Sequence, residues 1–285
     1  MIPMTKERER KTVLVLGGTG KTGRRIVERL QGSGVPVRAG SRSVAEPFDW
    51  ADRATWAPVL QGVGSVYVSY YPDLAVPGAP ETVGAFTELA VTSGVSRLVL
   101  LSGRGEDEAR ASERLVQSAG VEWTILRSSW FSQNFSEDYL LEPVLGGEVV
   151  LPVGNVPEPF VDVDDIAEVA VAALIEDGHA GQVYELTGPR LLTFAEAIAE
   201  ISAATGRRID FVQVPPDDYA AALTAEGTPP GVVELLMYLF TTVLDGRNSH
   251  LGDGVQRALG RPPRDFADYA TDTAATGVWD KGQTS

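Results

Sequence analysis

The chain has 285 residues, no cysteine, two histidines and a formal net charge of −15 at pH 7. A chain of that length buries roughly three quarters of its unfolded surface without help from a staple, and the missing cysteines exclude disulfides, thiolate metal sites and cysteine nucleophiles. The negative field repels nucleic acid and anionic lipid, and the composition suits a cytoplasmic protein, either monomer or homodimer.

Residues 1–10 form a polar tail. The apolar run after it is short and passes directly into glycines, so no signal peptide is expected, and no run has the length of a membrane span. Strands are predicted over 12–16, 35–39, 65–69, 97–101, 123–127 and 183–186, and helices over 22–32, 82–93, 112–119 and 164–174. Asp49 and Trp50 suit the end of a further strand, the third. On that count Ser69 closes the fourth strand, Ser102 the fifth and Arg127 the sixth. Nearly continuous apolar strands alternating with helices imply a parallel sheet covered on both faces, and right-handed crossovers make it doubly wound. After Arg127 the rhythm changes to a stretch rich in aromatic and polar residues. Thr193 and Glu196 form a capping box for a helix running to about Thr205. Beyond Pro215 the chain reads as mostly helical, with the apolar run 232–244 expected as core or pocket lid.

The most informative stretch is Gly17-Gly18-Thr19-Gly20-Lys21-Thr22-Gly23. Its glycines follow a strand and open a helix, the setting a dinucleotide-binding turn requires. One glycine makes the tight turn, one lets the backbone approach pyrophosphate, and Gly23 allows the helix to pack on the strand. The helix N–H groups then face the phosphates. A P-loop would need a glycine where Val15 stands. The tip of the second strand, Arg38 to Ser43, carries no acid for a ribose 2′-hydroxyl. Arg42 is placed to pair with a 2′-phosphate, with Ser41, Ser43 and Lys21 as further donors, so NADPH is expected rather than NADH. Asp49 and Trp50 are candidates for the adenine edge. Ser69, Tyr70, Tyr71 and Pro72, at a strand end, are candidates for ribose and pyrophosphate.

Those glycines, with Leu101-Ser102-Gly103, Arg127 to Phe135 and Phe160 to Ala167, stand in an order that resembles the NmrA-like family of atypical short-chain dehydrogenase/reductases. The resemblance covers about residues 12–275. The family includes NAD(P)H-dependent quinone and dye reductases and redox-sensing regulators. The resemblance implies an α/β fold: a doubly wound Rossmann domain over 11–150 and a smaller, mostly helical substrate domain over 151–285, with 160–188 returning to the sheet. It also places Trp130, Phe131, Asn134 and Phe135 beside nicotinamide and substrate, and their aromatic and amide groups suit a planar ligand.

A catalytic Tyr-x-x-x-Lys pair is excluded, because no lysine lies between Lys21 and Lys281. Where the family often has Lys or His ahead of a glutamate, this chain has Ala111-Ser112-Glu113. Ser102 and Gly103 are expected at the nicotinamide, with Ser102 also a catalytic candidate, and Arg104 is a candidate for a substrate oxygen. Tyr139 is the second catalytic candidate, and Tyr70 and Tyr71 are further phenolic proton donors. His179 and His250 are read as surface residues and no metal is expected. Hydride transfer needs alignment in a dry cleft more than a protein acid. A simple ketone would need its alkoxide stabilised, so the expected reaction is NADPH-dependent reduction of a planar quinone, enone or imine. A cofactor-binding redox sensor and a non-redox lyase or isomerase are the alternatives.

Overall fold

The computed structural model describes residues 11–280; the expected polar tail and Lys281 lie outside the described residues. Among the described residues there are eight strands: β1 (Thr12–Leu16), β2 (Val37–Gly40), β3 (Val63–Val68), β4 (Arg97–Gly103), β5 (Glu122–Ser128), β6 (Glu148–Leu151), β7 (Gln182–Leu186) and β8 (Asp210–Gln213). Six of them form one parallel sheet in the order β2-β1-β3-β4-β5-β7. Successive side chains on a strand face opposite ways, and both faces of this sheet are buried. Leu14, Leu16, Val66, Leu98 and Ile125 pack under the helices Ala79–Thr92 and Asp107–Gln117. Val13, Val15, Tyr67, Val99 and Leu126 pack under Lys21–Gly32 and Val163–Ile175. The chain therefore builds a doubly wound α/β sheet.

A third cluster joins Phe135, Val144, Val149, Phe160, Phe194 and Trp279 around the two-stranded parallel sheet β6-β8. The sequence pattern did not reveal this sheet, because each of its strands has only four residues. Phe135, Val144 and Val149 pack here although they precede residue 150. The capping box is present, with Glu196 N–H donating to Thr193 Oγ1 at 3.1 Å and Thr193 N–H to Glu196 Oε2 at 2.8 Å. The Val163–Ile175 helix is capped by Asp162, which accepts from Asp164 N–H at 2.7 Å. Among the described residues no helix is long and apolar enough to cross a membrane.

Two sequence expectations are corrected. Asp49 and Trp50 close no sheet strand. They sit in a turn where the Asp49 carboxylate accepts from Ala51 N–H at 3.0 Å and the Asp49 carbonyl from Trp56 Nε1 at 2.9 Å. Aromatic packing of Phe48, Trp50, Trp56 and Phe86 fills the place of a strand. Ser69 thus follows the third strand, Ser102 lies on the fourth and Trp130 follows the fifth. His179 is not a surface residue. Its side chain is buried, and Nδ1 lies 2.9 Å from the Tyr184 hydroxyl. His250 stays largely exposed.

Candidate functional site

From β1 the chain passes to β2 on one side and β3 on the other, so the strand order reverses at β1. Crevices in open α/β sheets form outside the carboxyl ends of strands at such a switch. Here a cleft of about 1150 Å³ opens at that place. Its walls come from the turn after β1, the tips of β2, β3, β4 and β5, the segment 130–139, and the helical segment 235–243.

The floor of one half is backbone. Gly17 has φ +66°, a conformation that favours glycine. A Cβ on Gly23 would lie 2.1 Å from the Gly17 carbonyl oxygen, and one on Gly18 would lie 2.8 Å from Ala39 Cβ. These two glycines therefore let helix and neighbouring strand close behind the loop, while Gly17, Thr19, Gly20, Lys21 and Thr22 line the cleft. Gly20 stands at the helix N-cap and offers no side-chain cap, so the first-turn N–H groups remain open to an anion. That bare N-terminus, with Gly17, Thr19 and Gly20 exposed along the cleft, fits the pyrophosphate of a dinucleotide.

At the tip of β2, Ser41 Oγ lies 2.9 Å from Thr19 Oγ1 and 3.1 Å from Ser43 Oγ. The Arg42 guanidinium lies 5.0 Å from the Tyr71 ring centroid. Trp50 Nε1 donates to the Ser69 carbonyl at 3.0 Å, and its ring lies 4.9 Å from that of Tyr70. Asp49, Trp50, Ser69, Tyr70, Tyr71 and Pro72 all border the cleft. Lys21 does not join Ser41 and Arg42. Its ammonium donates to Asn134 Oδ1 at 2.7 Å, pairs with Asp138 and lies 5.7 Å from the Phe131 ring centroid. The expected fourth donor for a 2′-phosphate is thus turned toward the other half of the cleft.

That other half is made of side chains. Trp130 stacks on Phe240 at 5.2 Å and meets Phe194 edge-on at 5.5 Å. Leu235, Leu236, Leu239 and Val243 line the same half, so the apolar segment 232–244 borders the cleft as well as joining the core. Phe135 is corrected to a core residue. It is fully buried against Phe160 and Phe266. Neighbours on a helix point about 100° apart, and here Asn134 turns to the cleft while Phe135 turns to the core.

The polar candidates are committed to partners. Ser102 donates to Glu113 Oε1 at 2.7 Å, and Glu113 is held by Arg127 Nε at 2.7 Å and Nη2 at 2.6 Å. The Ser102 hydroxyl proton is thus spent on Glu113, which leaves its lone pairs to accept at the cleft. Arg104 is buried and spends its guanidinium on Ser129 Oγ at 2.9 Å, His250 Nε2 at 2.8 Å and the His250 carbonyl at 3.1 Å. It is therefore not a free ligand for a substrate oxygen. The Tyr139 hydroxyl is buried without a partner, and burial pushes its pKa well above the ordinary phenol value. It can donate a hydrogen bond but is poorly suited to lose its proton.

The sequence reading missed three acids. Half-buried Asp73 and buried Glu106 form a carboxyl pair beside Gly103, and desolvation raises both pKa values. Glu158 is 1% exposed, borders the cleft, and among the described residues has no hydrogen-bond partner on either carboxyl oxygen. Burial pushes its pKa to about 7 against the opposing pull of Arg104. The only signal in the sequence is an acid between two prolines, Pro157-Glu158-Pro159.

No family model matches the chain. It is 32% identical over 280 residues to an uncharacterized oxidoreductase of Bacillus subtilis, covering 94% of this chain and 97% of that protein. It is 30% identical over 287 residues to the NAD(P)H azoreductase of Xenophilus azovorans, covering 92% and 98%. Among solved structures, it resembles an NADPH-dependent quinone oxidoreductase of Escherichia coli complexed with NADPH. That match has a TM-score of 0.76 at 22% identity, over 91% of this chain and 99% of that one. It also resembles NmrA, a negative transcriptional regulator in complex with NAD, with a TM-score of 0.70 at 16% identity over 95% and 98%. At these identities the two structural likenesses concern the fold.

Proposed function

The chain belongs to the NmrA-like family of atypical short-chain dehydrogenase/reductases, and from that premise we propose that it transfers hydride from NADPH to a small planar conjugated acceptor, a quinone, enone, imine or azo compound. It is an NAD(P)H-dependent oxidoreductase. The observation that carries the acceptor class is the continuity of one cleft, whose backbone floor runs into an apolar stretch of Trp130, Phe131, Leu235, Leu236 and Leu239. Such a stretch offers apolar contact surface with Lys21, Asn134 and Glu158 beside it as polar groups, which suits a flat conjugated ring with a polar edge. The regulator and non-redox readings are set aside, since the relatives at 30% identity or more include a named oxidoreductase and a named azoreductase.

When bound, the reduced nicotinamide supplies the hydride. The chain's own residues hold and align. Gly17, Thr19, Gly20 and Thr22 would take the pyrophosphate, and Ser41, Ser43 and Arg42 the 2′-phosphate. Trp50 and Tyr70 would border the adenine side, and Ser102 would accept from the nicotinamide amide. The preference for NADPH rests on Arg42 and on the absence of an acid at the tip of β2. The smaller body around β6-β8 would roof the acceptor, with Leu235, Leu236 and Leu239 excluding water. The test is NADPH consumption with a panel of quinones, imines and azo dyes, beside binding titrations of NADPH and NADH. Acceptor-dependent oxidation is expected. Tight binding with no oxidation across the panel would sink the reductase reading, and binding of neither cofactor would sink the site.

A further inference from the structure

Glu158 enters the acceptor half of the cleft on a rigid mount. Its N–H donates to the Leu192 carbonyl at 2.8 Å and its carbonyl accepts from Leu192 N–H at 2.9 Å. The flanking prolines restrict the backbone on both sides, and Ser249 Oγ holds the Pro157 carbonyl at 2.7 Å. Only the carboxyl has no partner among the described residues, although it is almost wholly buried. A buried carboxyl with both oxygens unsatisfied is costly unless something in the cavity completes it. The cavity it borders is the one assigned above to the acceptor. Of the charged groups around it, Arg104 at the end of β4 acts on it directly. Glu185 of β7, at 3.5 Å, and His250 act on Arg104 in turn.

Resting on the reductase reading, we propose that the Glu158 carboxyl is the proton donor to neutral acceptors, completing the reduction that hydride transfer begins. For a quinone, the hydride breaks from the reduced cofactor's C–H bond and forms a new O–H bond at one carbonyl oxygen, leaving the cofactor oxidised. Electron density moves to the far carbonyl oxygen, whose new O–H bond forms as the Glu158 O–H bond breaks. The products are the hydroquinone, the oxidised cofactor and the Glu158 carboxylate, which water reprotonates. The Arg104 guanidinium offsets the carboxylate charge as it develops. A cationic acceptor needs none of this, because hydride addition to a carbocation gives a neutral product directly. Glu158 therefore separates acceptors by charge, and its use of a side chain outside the Tyr-x-x-x-Lys arrangement accounts for a cleft without a catalytic lysine.

The test compares menadione, a neutral quinone, with crystal violet, a triarylmethyl cation, using the full-length chain and NADPH. In Glu158→Gln the ratio of kcat with menadione to kcat with crystal violet falls about a hundredfold or more, as expected for lost acid catalysis of about 10²–10⁴. In the wild type, menadione reduction slows as pH rises through about 7, and crystal violet reduction does not follow it. An unchanged ratio, or one pH profile shared by both acceptors, overturns the proposal. Turnover of neither acceptor by the wild type counts against the reductase reading, and the acid is then judged without turnover. Infrared titration of the ligand-free chain should show a protonated-carboxyl band that vanishes near pH 7 and is missing from Glu158→Gln. Absence of that band from the wild type overturns the proposal by itself.

Discussion

The two halves of the cleft are built from different materials. The cofactor half is a run of backbone, with glycines where a Cβ would strike a carbonyl, an uncapped helix start and strand tips ending in small hydroxyl residues. Most of its parts lie within one βαβ stretch. The acceptor half is made of side chains brought together over long sequence distances. Trp130 meets Phe240, Lys21 meets Asn134, and Arg104 meets His250. A backbone site is exacting about spacing and about which positions lack side chains, and it tolerates little substitution. A side-chain site can be retuned residue by residue while the fold stands. The contrast explains how one fold keeps a fixed hydride source and varies the acceptor.

The sharpest way to break the contrast is to put a side chain where the backbone half has none. Gly23→Val places a Cβ at 2.1 Å from the Gly17 carbonyl oxygen, so helix and loop must separate. Overpacking of this kind costs about 1–3 kcal/mol or more. NADPH affinity should fall by about a hundredfold or beyond detection, seen by calorimetric titration, and retention of affinity within threefold would refute the cradle. Next in size is Arg42→Ala. A hydrogen bond to a charged group is worth about 1.5–3 kcal/mol, so NADPH should bind about 10- to 100-fold more weakly while NADH changes little. Equal losses for both cofactors would show that Arg42 does not read the 2′-phosphate.

How far each half was legible in the sequence follows the same division. The glycine spacing, the strand tips and the acid-free end of β2 could be read because local periodicity and backbone sterics determine them. The spurious strand at Asp49 arose because Phe48 and Trp50 are apolar for another reason, as parts of an aromatic cluster. In the acceptor half, residue type was visible but direction was not. Asn134 and Phe135 are adjacent, yet one faces the cleft and the other the core. Arg104 looked like a free cation, and Lys21 like a phosphate ligand, because His250 and Asn134, which hold them, lie more than a hundred residues away. Glu158 carried no periodicity at all, only its two prolines.

A smaller effect separates burial from chemistry at Glu158. Its folded pKa of about 7 lies above the ordinary glutamate value. Between roughly pH 4.5 and pH 7 the folded chain therefore keeps a proton that the unfolded chain has lost, and stability falls as pH rises through that window. Glutamine does not titrate. The stability of Glu158→Gln relative to wild type should rise by about 1–3 kcal/mol between pH 5 and pH 8, measured by urea unfolding at each pH. A difference that does not change with pH would mean that the carboxyl is solvated in solution and ionises normally.

The smallest expected effect decides to which half Lys21 belongs. Its ion pair with Asp138 is partly exposed, and such pairs contribute about 0–1 kcal/mol. In Lys21→Met the wall formed by Asn134, Asp138 and Phe131 loses its tie to the glycine loop, so the acceptor KM should shift by about threefold or less. The ratio of NADPH to NADH affinity should stay within about twofold of wild type, since the ammonium is spent on Asn134 and Asp138 rather than on Ser41 or Arg42. If Lys21 instead read the 2′-phosphate, that ratio would collapse as it does in Arg42→Ala, by tenfold or more. Cofactor titrations of the two variants side by side, at low salt so that the exposed pair is not screened, therefore settle whether the lysine of the glycine-rich turn serves the cofactor it follows in sequence or the acceptor it reaches in space.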